Sequence, residues 1–381
     1  MTDKIHLALD AREANVAQRV GSNVYAYNII KQLSNLLRYK KKTKATALLS
    51  SEPVDDMPDE RTNWQYQVIK PAKFWTQWAE PFHLFFKQNQ YHVLYTPGHY
   101  APRVSAIPYV SSVMDLAFLE YPHQFRKSDL FQLKHWTKYS VKHASKVVAI
   151  SQFTKKEIHQ HYHKKQEDIV VAYPDVNLKI KKTSPARKKA FFKKHGIKKP
   201  YFLFIGTLQP RKNLTRLVKA YEQFCQKSDQ DNPPQLVISG KIGWLAQDLL
   251  TKIHQSSVSD QIILTGFVPD RIKPILIKNA LSLILIGLYE GFGIPALEAL
   301  YLSTIPIVSD SSSLPEVVGE AGLKVNPTNL DHISRALEHV AAMKAKQKAK
   351  YRRKARKQTK KFDWEQSAKK ILTTLKQVAR A

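Results

Sequence analysis

The chain has 381 residues, 43% of them hydrophobic, which suits a globular protein of two or three domains at roughly 150 residues each. A single cysteine, Cys225, excludes an internal disulfide and fits a reducing cytoplasm, and no apolar run approaches the about 18 residues of a membrane span. Lys plus Arg number 61 against 31 Asp plus Glu, a formal net charge of +30, and that balance attracts polyanions such as nucleic acid or the acidic face of a membrane.

Met1-Thr2-Asp3-Lys4 runs straight into the strand-like Ile5-His6-Leu7-Ala8-Leu9, too short and too acidic a start for a signal peptide. Apolar, β-rich segments follow at 46–50, 66–69, 92–95, 108–113, 147–150 and 169–172, with helical patterns at 22–37, 73–88 and 127–143. Pro174, Thr183, Ser184 and Pro185 are turn and breaker residues and mark a linker near 174–185. Beyond it, strands are expected at 201–206, 235–239, 261–264, 282–286 and 306–309. Helices are expected near 213–227, 244–255, 270–279, 295–303 and 329–343. A final helix is expected from Ala368, Ile371, Leu372 and Leu375 after Phe362-Asp363-Trp364. Alternation of this kind predicts the α/β class, with parallel sheets in two doubly wound units.

The most informative stretch is Glu290-Gly291-Phe292-Gly293-Ile294-Pro295-Ala296-Leu297-Glu298. Leu281 to Tyr289 reads as a buried strand, and Pro295 to Leu302 as a helix with proline in its first turn. A strand-to-helix crossover presents backbone N–H groups at a helix N-terminus, where phosphates bind. Glu290 at the strand end and Glu298 further in can each accept hydrogen bonds from hydroxyls. A polyhydroxylated ligand with a diphosphate fits: a nucleotide sugar. The stretch resembles the Glu-x7-Glu signature of retaining glycosyltransferases with the GT-B fold, most closely glycosyltransferase family 4.

That resemblance covers almost the whole chain, from Asp10 to about Trp364. It implies two Rossmann-like domains facing a cleft: an acceptor domain over 1–178, a nucleotide-sugar domain over 182–361, and a helix over 362–381 returning to the first. Tyr201 to Leu214 is similar to the family's strand, Pro-Arg-Lys-Asn and helix segment. It implies that Lys212, with Arg211, neutralises the diphosphate leaving group, beside Gly206 and Thr207. Thr207 stands where many relatives carry arginine, and Asn213 is placed to cap the helix. Gly240, Gly266 and Phe267 would lie beside base and ribose. Glu290 would hold sugar hydroxyls near the backbone of Gly291, Phe292 and Gly293, and Glu298 the ribose hydroxyls. Ser311, Ser312 and Ser313 resemble a loop whose hydroxyls and N–H groups reach phosphate; a serine-rich helix cap is the alternative reading.

In the first half, Leu9-Asp10-Ala11-Arg12 and the loop to Gly21 resemble the family's glycine loop over the donor phosphate, in a form seen in many mannosyltransferases. Pro97-Gly98-His99 and Ile150-Ser151 look like strand-end loops facing the cleft. Met114 stands where relatives usually carry the histidine of His-Asp-Leu, and Asp115 remains to orient the loop. The implied activity moves a hexosyl group, mannose favoured, from a nucleoside-diphosphate sugar to a glycan or lipid-linked saccharide. Front-side attack needs no protein nucleophile, and neither metal nor other cofactor is implied.

Several features stand outside that scheme. The basic runs Lys179–Lys199 and Lys344–Lys361 read as a solvated helix face or linker, or as a polyanion-binding surface. A catalytically degenerate polyanion-binding protein is the alternative they support, although no nucleic-acid motif accompanies them and nucleic acid is not an expected partner. A sugar-nucleotide hydrolase or epimerase is disfavoured by the two glutamates. His159, His161 and His163 mimic a metal cluster, and Asp229-Gln230-Asp231 mimics a metal-binding Asp-x-Asp, but neither sits in a suitable context. Trp75, Trp78, Phe82, Phe85 and Phe86, flanked by Lys73 and Lys87, read first as core packing and second as a surface meeting anionic lipid at the inner face of the plasma membrane.

Overall fold

The computed structural model describes residues 4–19, 21–176, 178, 185–198, 200–228, 232–243 and 247–381. Val20, residues 179–184 (with Thr183 and Ser184 of the expected linker and the start of the first basic run), Lys199, the Asp229-Gln230-Asp231 loop and residues 244–246 lie outside that set. The chain divides into two compact units, Met1–Pro174 with Phe362–Ala381, and Asp175–Lys361.

The first unit is built on seven parallel strands: β1 Ile5–Asp10, β2 Thr43–Leu49, β3 Trp64–Val68, β4 Val93–Thr96, β5 Tyr109–Val113, β6 Lys146–Ala149 and β7 Ile169–Val171. Their order is β3-β2-β1-β4-β5-β6-β7, with Leu7 opposite both Ala45 and Val93. The central strands are buried on both faces, which is why β1, β4 and β5 read as apolar runs rather than alternating ones. The order reverses between β1 and β4, and the loops leaving their carboxyl ends part there, the usual place for a ligand in an open α/β sheet.

The helix Ser22–Leu37 buries Ile29, Ile30, Leu33 and Leu37. Helix Trp364–Val378 packs on it with Trp364, Ala368, Ile371 and Leu375 turned inward. The Trp364 ring lies 5.7 Å from that of Tyr25. Asp363 caps this last helix by accepting the Glu365 N–H at 2.7 Å, and Ser367 donates to the Tyr173 carbonyl at 2.7 Å.

The expected helix over 73–88 is a π-helical turn, Trp75–Ala79, running into an α-helix, Glu80–Phe86. Core packing of its aromatics is corrected for all but one. Trp75, Ala79, Glu80 and Leu84 fill the inward face, so Phe74, Trp78, Phe82, Phe85 and Phe86, on the other side, stay exposed.

The second unit has six parallel strands: β8 Tyr201–Ile205, β9 Gln235–Ser239, β10 Ile262–Gly266, β11 Ser282–Leu285, β12 Ile305–Ser309 and β13 Leu323–Val325. Their order is β10-β9-β8-β11-β12-β13, with the reversal between β8 and β11. The strand expected over 281–289 pairs only as far as Leu285. Beyond it the chain stays largely buried but leaves the sheet, and the Leu288 N–H donates to the Arg211 carbonyl at 2.8 Å. Glu290 therefore sits on a loop, not at a strand end, and the helix that follows is Ile294–Tyr301.

The second basic run forms the helix Ala345–Thr359. Its buried Gln358 side chain donates to the carbonyls of Glu316 and Val317 at 2.7 and 3.0 Å. Among the described residues no helix is long and apolar enough to cross a membrane.

Candidate active site

At the carboxyl edge of the second sheet three strand-end glycines lie side by side. The Gly206 N–H donates to Ser239 O at 3.0 Å and the Gly240 N–H to Gly266 O at 2.9 Å. A Cβ on Gly240 would stand 1.8 Å from the Gly206 carbonyl oxygen, so the backbones approach as closely as they do only because position 240 is glycine. Thr207 is exposed beyond this edge. Phe267 is 59% exposed, with the Lys241 ammonium 5.2 Å from its ring centre.

The turn after β8 carries two cations inward. Lys212 Nζ lies 2.5 Å from Glu290 Oε1, and Arg211 Nη1 is 3.9 Å from Glu290 Oε2. Arg211 also donates to the Tyr289 carbonyl at 3.4 Å. The main chain of Glu290 is fixed by two serines: its N–H donates to Ser312 Oγ at 3.1 Å, and its carbonyl accepts from Ser313 Oγ at 2.7 Å. Those hydroxyls hold the glutamate loop, and the expected helix cap is not formed, since Ser313 makes no side-chain cap bond. Ser311 Oγ is buried without a hydrogen-bond partner among the described residues.

Asn213 does not cap its helix. Its backbone is left-handed, and its side-chain amide donates to the carbonyls of Ile286 and Pro327 at 3.1 and 2.7 Å, pinning the loop after β11. Gly287 leaves room for this approach, since a Cβ there would stand 3.1 Å from both Arg211 O and Glu290 Oε1. Gly293 has φ 95, and a Cβ on it would meet Leu314 Cδ2 at 2.4 Å. Gly291 and Phe292 are buried between them, so Phe292 packs inward with its ring.

Glu298 lies in the second turn of the helix Ile294–Tyr301 and is 5% exposed. Its Oε1 is 2.5 Å from Lys273 Nζ. Its Oε2 is buried without a hydrogen-bond partner among the described residues. Burial raises its pKa, and the Lys273 ammonium pulls the other way. Sequence reasoning missed Lys273. The available signal was a cation in the first turn of a helix, where the dipole disfavours it and a specific carboxylate partner compensates.

In the first unit, Gly21 (φ 52) precedes the helix Ser22–Leu37. At the parting of the strand order, Asp10 is buried and accepts the Arg12 N–H at 3.1 Å. Burial raises its pKa, opposed by Arg12. His99 has a buried Nδ1 without a partner among the described residues. Burial lowers its pKa, and the carboxylates of Asp115 and Glu13 oppose that shift. Asp115 accepts the Ala117 N–H at 3.1 Å, and Met114 is buried beside it. A Cβ on Gly98 would stand 2.4 Å from Glu13 Oε1. Loops after β1, β4 and β5 thus bring Glu13, His99 and Asp115 together.

Ser151 is not free to face a ligand. It is buried and caps the helix Gln152–Tyr162, accepting the Thr154 N–H at 2.9 Å. The three histidines do not converge: His159 bonds the Lys164 carbonyl, His163 ends the helix in a left-handed turn, and His161 pairs with Glu120 and Glu157 at 3.1 and 3.4 Å.

Residues 187–362 match the family profile of glycosyl transferases group 1. That match spans nearly all of the second unit. The chain is 28% identical over 271 residues to O-antigen chain mannosyltransferase B of Escherichia coli, covering 71% of this chain and 68% of that protein. It is 28% identical over 229 residues to O-antigen chain mannosyltransferase RfbU of Salmonella typhimurium, covering 60% of each. Among solved structures, sucrose-phosphate synthase from Thermosynechococcus elongatus superposes with a TM-score of 0.73 at 16% identity, over 98% of this chain and 99% of that one. The chain therefore has the two-domain, Rossmann-like GT-B fold.

Proposed function

We propose that this chain is a glycosyltransferase that moves a hexosyl group, mannose favoured, from a nucleoside-diphosphate sugar to a glycan or lipid-linked saccharide in the cytoplasm, with retention of configuration. The observation that carries this reading is the enclosure of Glu290 by Lys212 and Arg211 at the turns leaving β8 and β11. A carboxylate that accepts sugar hydroxyls and two cations that accept a diphosphate are what such a donor requires. The Oε2 of Glu298, without a hydrogen-bond partner among the described residues, supports the placing of ribose hydroxyls, and the names of both relatives support mannose.

In the reaction the bond from the sugar's anomeric carbon to the phosphate oxygen breaks, and a bond from that carbon to the acceptor oxygen forms on the same face. The acceptor proton passes to the departing phosphate. Lys212 and Arg211 stabilise the charge gathering on the leaving group, the main electrostatic demand of the step. Because protein cations serve the diphosphate, this reading calls for no metal and no other cofactor. Gly206, Gly240, Gly266 and Phe267 line the edge where base and ribose would lie.

Calorimetry with guanosine and uridine diphosphates tests the donor site. Lys212→Ala should weaken binding by about 1.5–3 kcal/mol, the scale of one charge-assisted contact. Unchanged affinity in a folded variant would remove Lys212 from the site. A screen of nucleotide sugars with candidate acceptors, reading the anomeric configuration of the product, tests mannose and retention.

A further inference from the structure

We propose that Phe74 to Lys87 forms a docking surface for an anionic lipid bilayer. Five aromatic side chains crowd this short stretch and face outward: Phe74, Trp78, Phe82, Phe85 and Phe86 are 57, 60, 55, 57 and 77% exposed. The Trp78 and Phe82 rings stack at 6.1 Å, and those of Phe85 and Phe86 meet edge-on at 5.6 Å. Contiguous apolar surface of this kind is uncommon on a protein that meets only water.

Charge selects the occupant. Lys70, Lys73 and Lys87 are exposed at the two ends of the stretch. The one acid between residues 70 and 91, Glu80, is turned fully inward. The stretch therefore presents an aromatic face with a cationic rim and no exposed carboxylate of its own. A helix lying in the plane of a membrane has this composition: rings enter the headgroup boundary while lysine stems reach up to the lipid phosphates. A second copy of the chain is a poor occupant, because two like rims on molecules of formal charge +30 repel. The surface belongs to the first unit and owes nothing to the donor-site reading, since lipid binding is measured without donor or acceptor.

The test uses the full chain with vesicles of phosphatidylcholine alone or mixed with phosphatidylglycerol, separated by flotation. The protein should float with the mixed vesicles, weakly with the neutral ones, and less at high salt. Phe82→Ser with Phe86→Ser should lower the partition coefficient about tenfold or more, and Lys73→Gln and Lys87→Gln about fivefold each. These side chains are exposed, so circular dichroism should show the variants folded. Brominated lipid should quench tryptophan emission in the wild type and much less in Trp78→Phe. Equal binding to both vesicle types overturns the assignment, as does binding that ignores the aromatic variants and follows charge neutralisation of the helix Ala345–Thr359. A dimer lost in Phe82→Ser with Phe86→Ser, or tight capture of a single-stranded oligonucleotide on the same residues without vesicle binding, overturns it in favour of another occupant.

Discussion

Glu298 and Lys273 show how the site holds charge out of water. One carboxylate oxygen is paired at 2.5 Å and the other has no partner among the described residues, so the pair depends on its lysine. Lys273→Met should destabilise the protein by roughly 1–3 kcal/mol by stranding a buried carboxylate. Adding Glu298→Gln should restore much of that loss, and urea unfolding of the single and double variants measures the coupling. In steady-state kinetics Glu290→Ala should lower kcat on the order of 100-fold, whereas Glu298→Ala should act mainly on the donor KM. Glu80 gives a pH signature in the first unit. Burial, and then the nearby Asp10, raise its pKa well above the ordinary 4.5. Its contribution to stability is fully present below about 4.5 and is lost as pH rises through the elevated folded value, because the buried carboxyl must then ionise. Glu80→Gln should flatten that fall in thermal melts taken across the range. Glu290 and Glu298 are legible as candidates from the Glu-x7-Glu run, and Lys212 from the Pro-Arg-Lys-Asn turn that resembles the family's, each a local pattern. Lys273 is not legible, since its partner lies 25 positions away (298 − 273) and no local pattern joins them.

Elements with a long, strict period are legible to within a residue or so, as with Ser22–Leu37 and Lys127–His143. Short ones are not. Leu314–Val318 and Leu323–Val325 are too brief for a period to declare itself. The apolar run from Ile286 to Tyr289 shows the opposite failure, in which burial mimics a strand where the chain has already left the sheet. The outward aromatics after Phe74 are misread for a related reason. Composition says that a segment is apolar, but its facing depends on which residues, here Trp75 and Leu84, take the inward side. At the strand ends the glycines make separable predictions. Gly240→Ala must move backbone and should cost about 1–3 kcal/mol or more, because its Cβ would stand 1.8 Å from Gly206 O. Gly266→Ala meets nothing within 4 Å, and its strain of about 1–2 kcal/mol would come only from φ 66. Denaturant midpoints and diphosphate affinity should fall together for the first and separately for the second.

Over the whole molecule, charge opposes compactness. The helix Ala345–Thr359 carries eight cations and no acid, and the chain as a whole is at +30. Moderate salt should therefore raise the melting temperature by screening self-repulsion, even as it weakens binding to anionic surfaces. The apolar face of the last helix is legible, but its partner, Ser22–Leu37, is not, because periodicity shows that a face must be covered without showing by what. Removing Phe362–Ala381 should uncover the side of Ser22–Leu37 that this helix packs on and cost the first unit its cooperative unfolding, read by calorimetry, while the transition of the second unit persists. The same arrangement has a consequence during synthesis. The second unit is one continuous length of chain, whereas the first waits for residues 362–381, so on the ribosome the later-made unit can finish folding before the earlier one. Throughout that interval Tyr25 lacks the Trp364 ring that packs beside it, and a chaperone that binds the nascent chain would find its target at the beginning of the sequence rather than at the end.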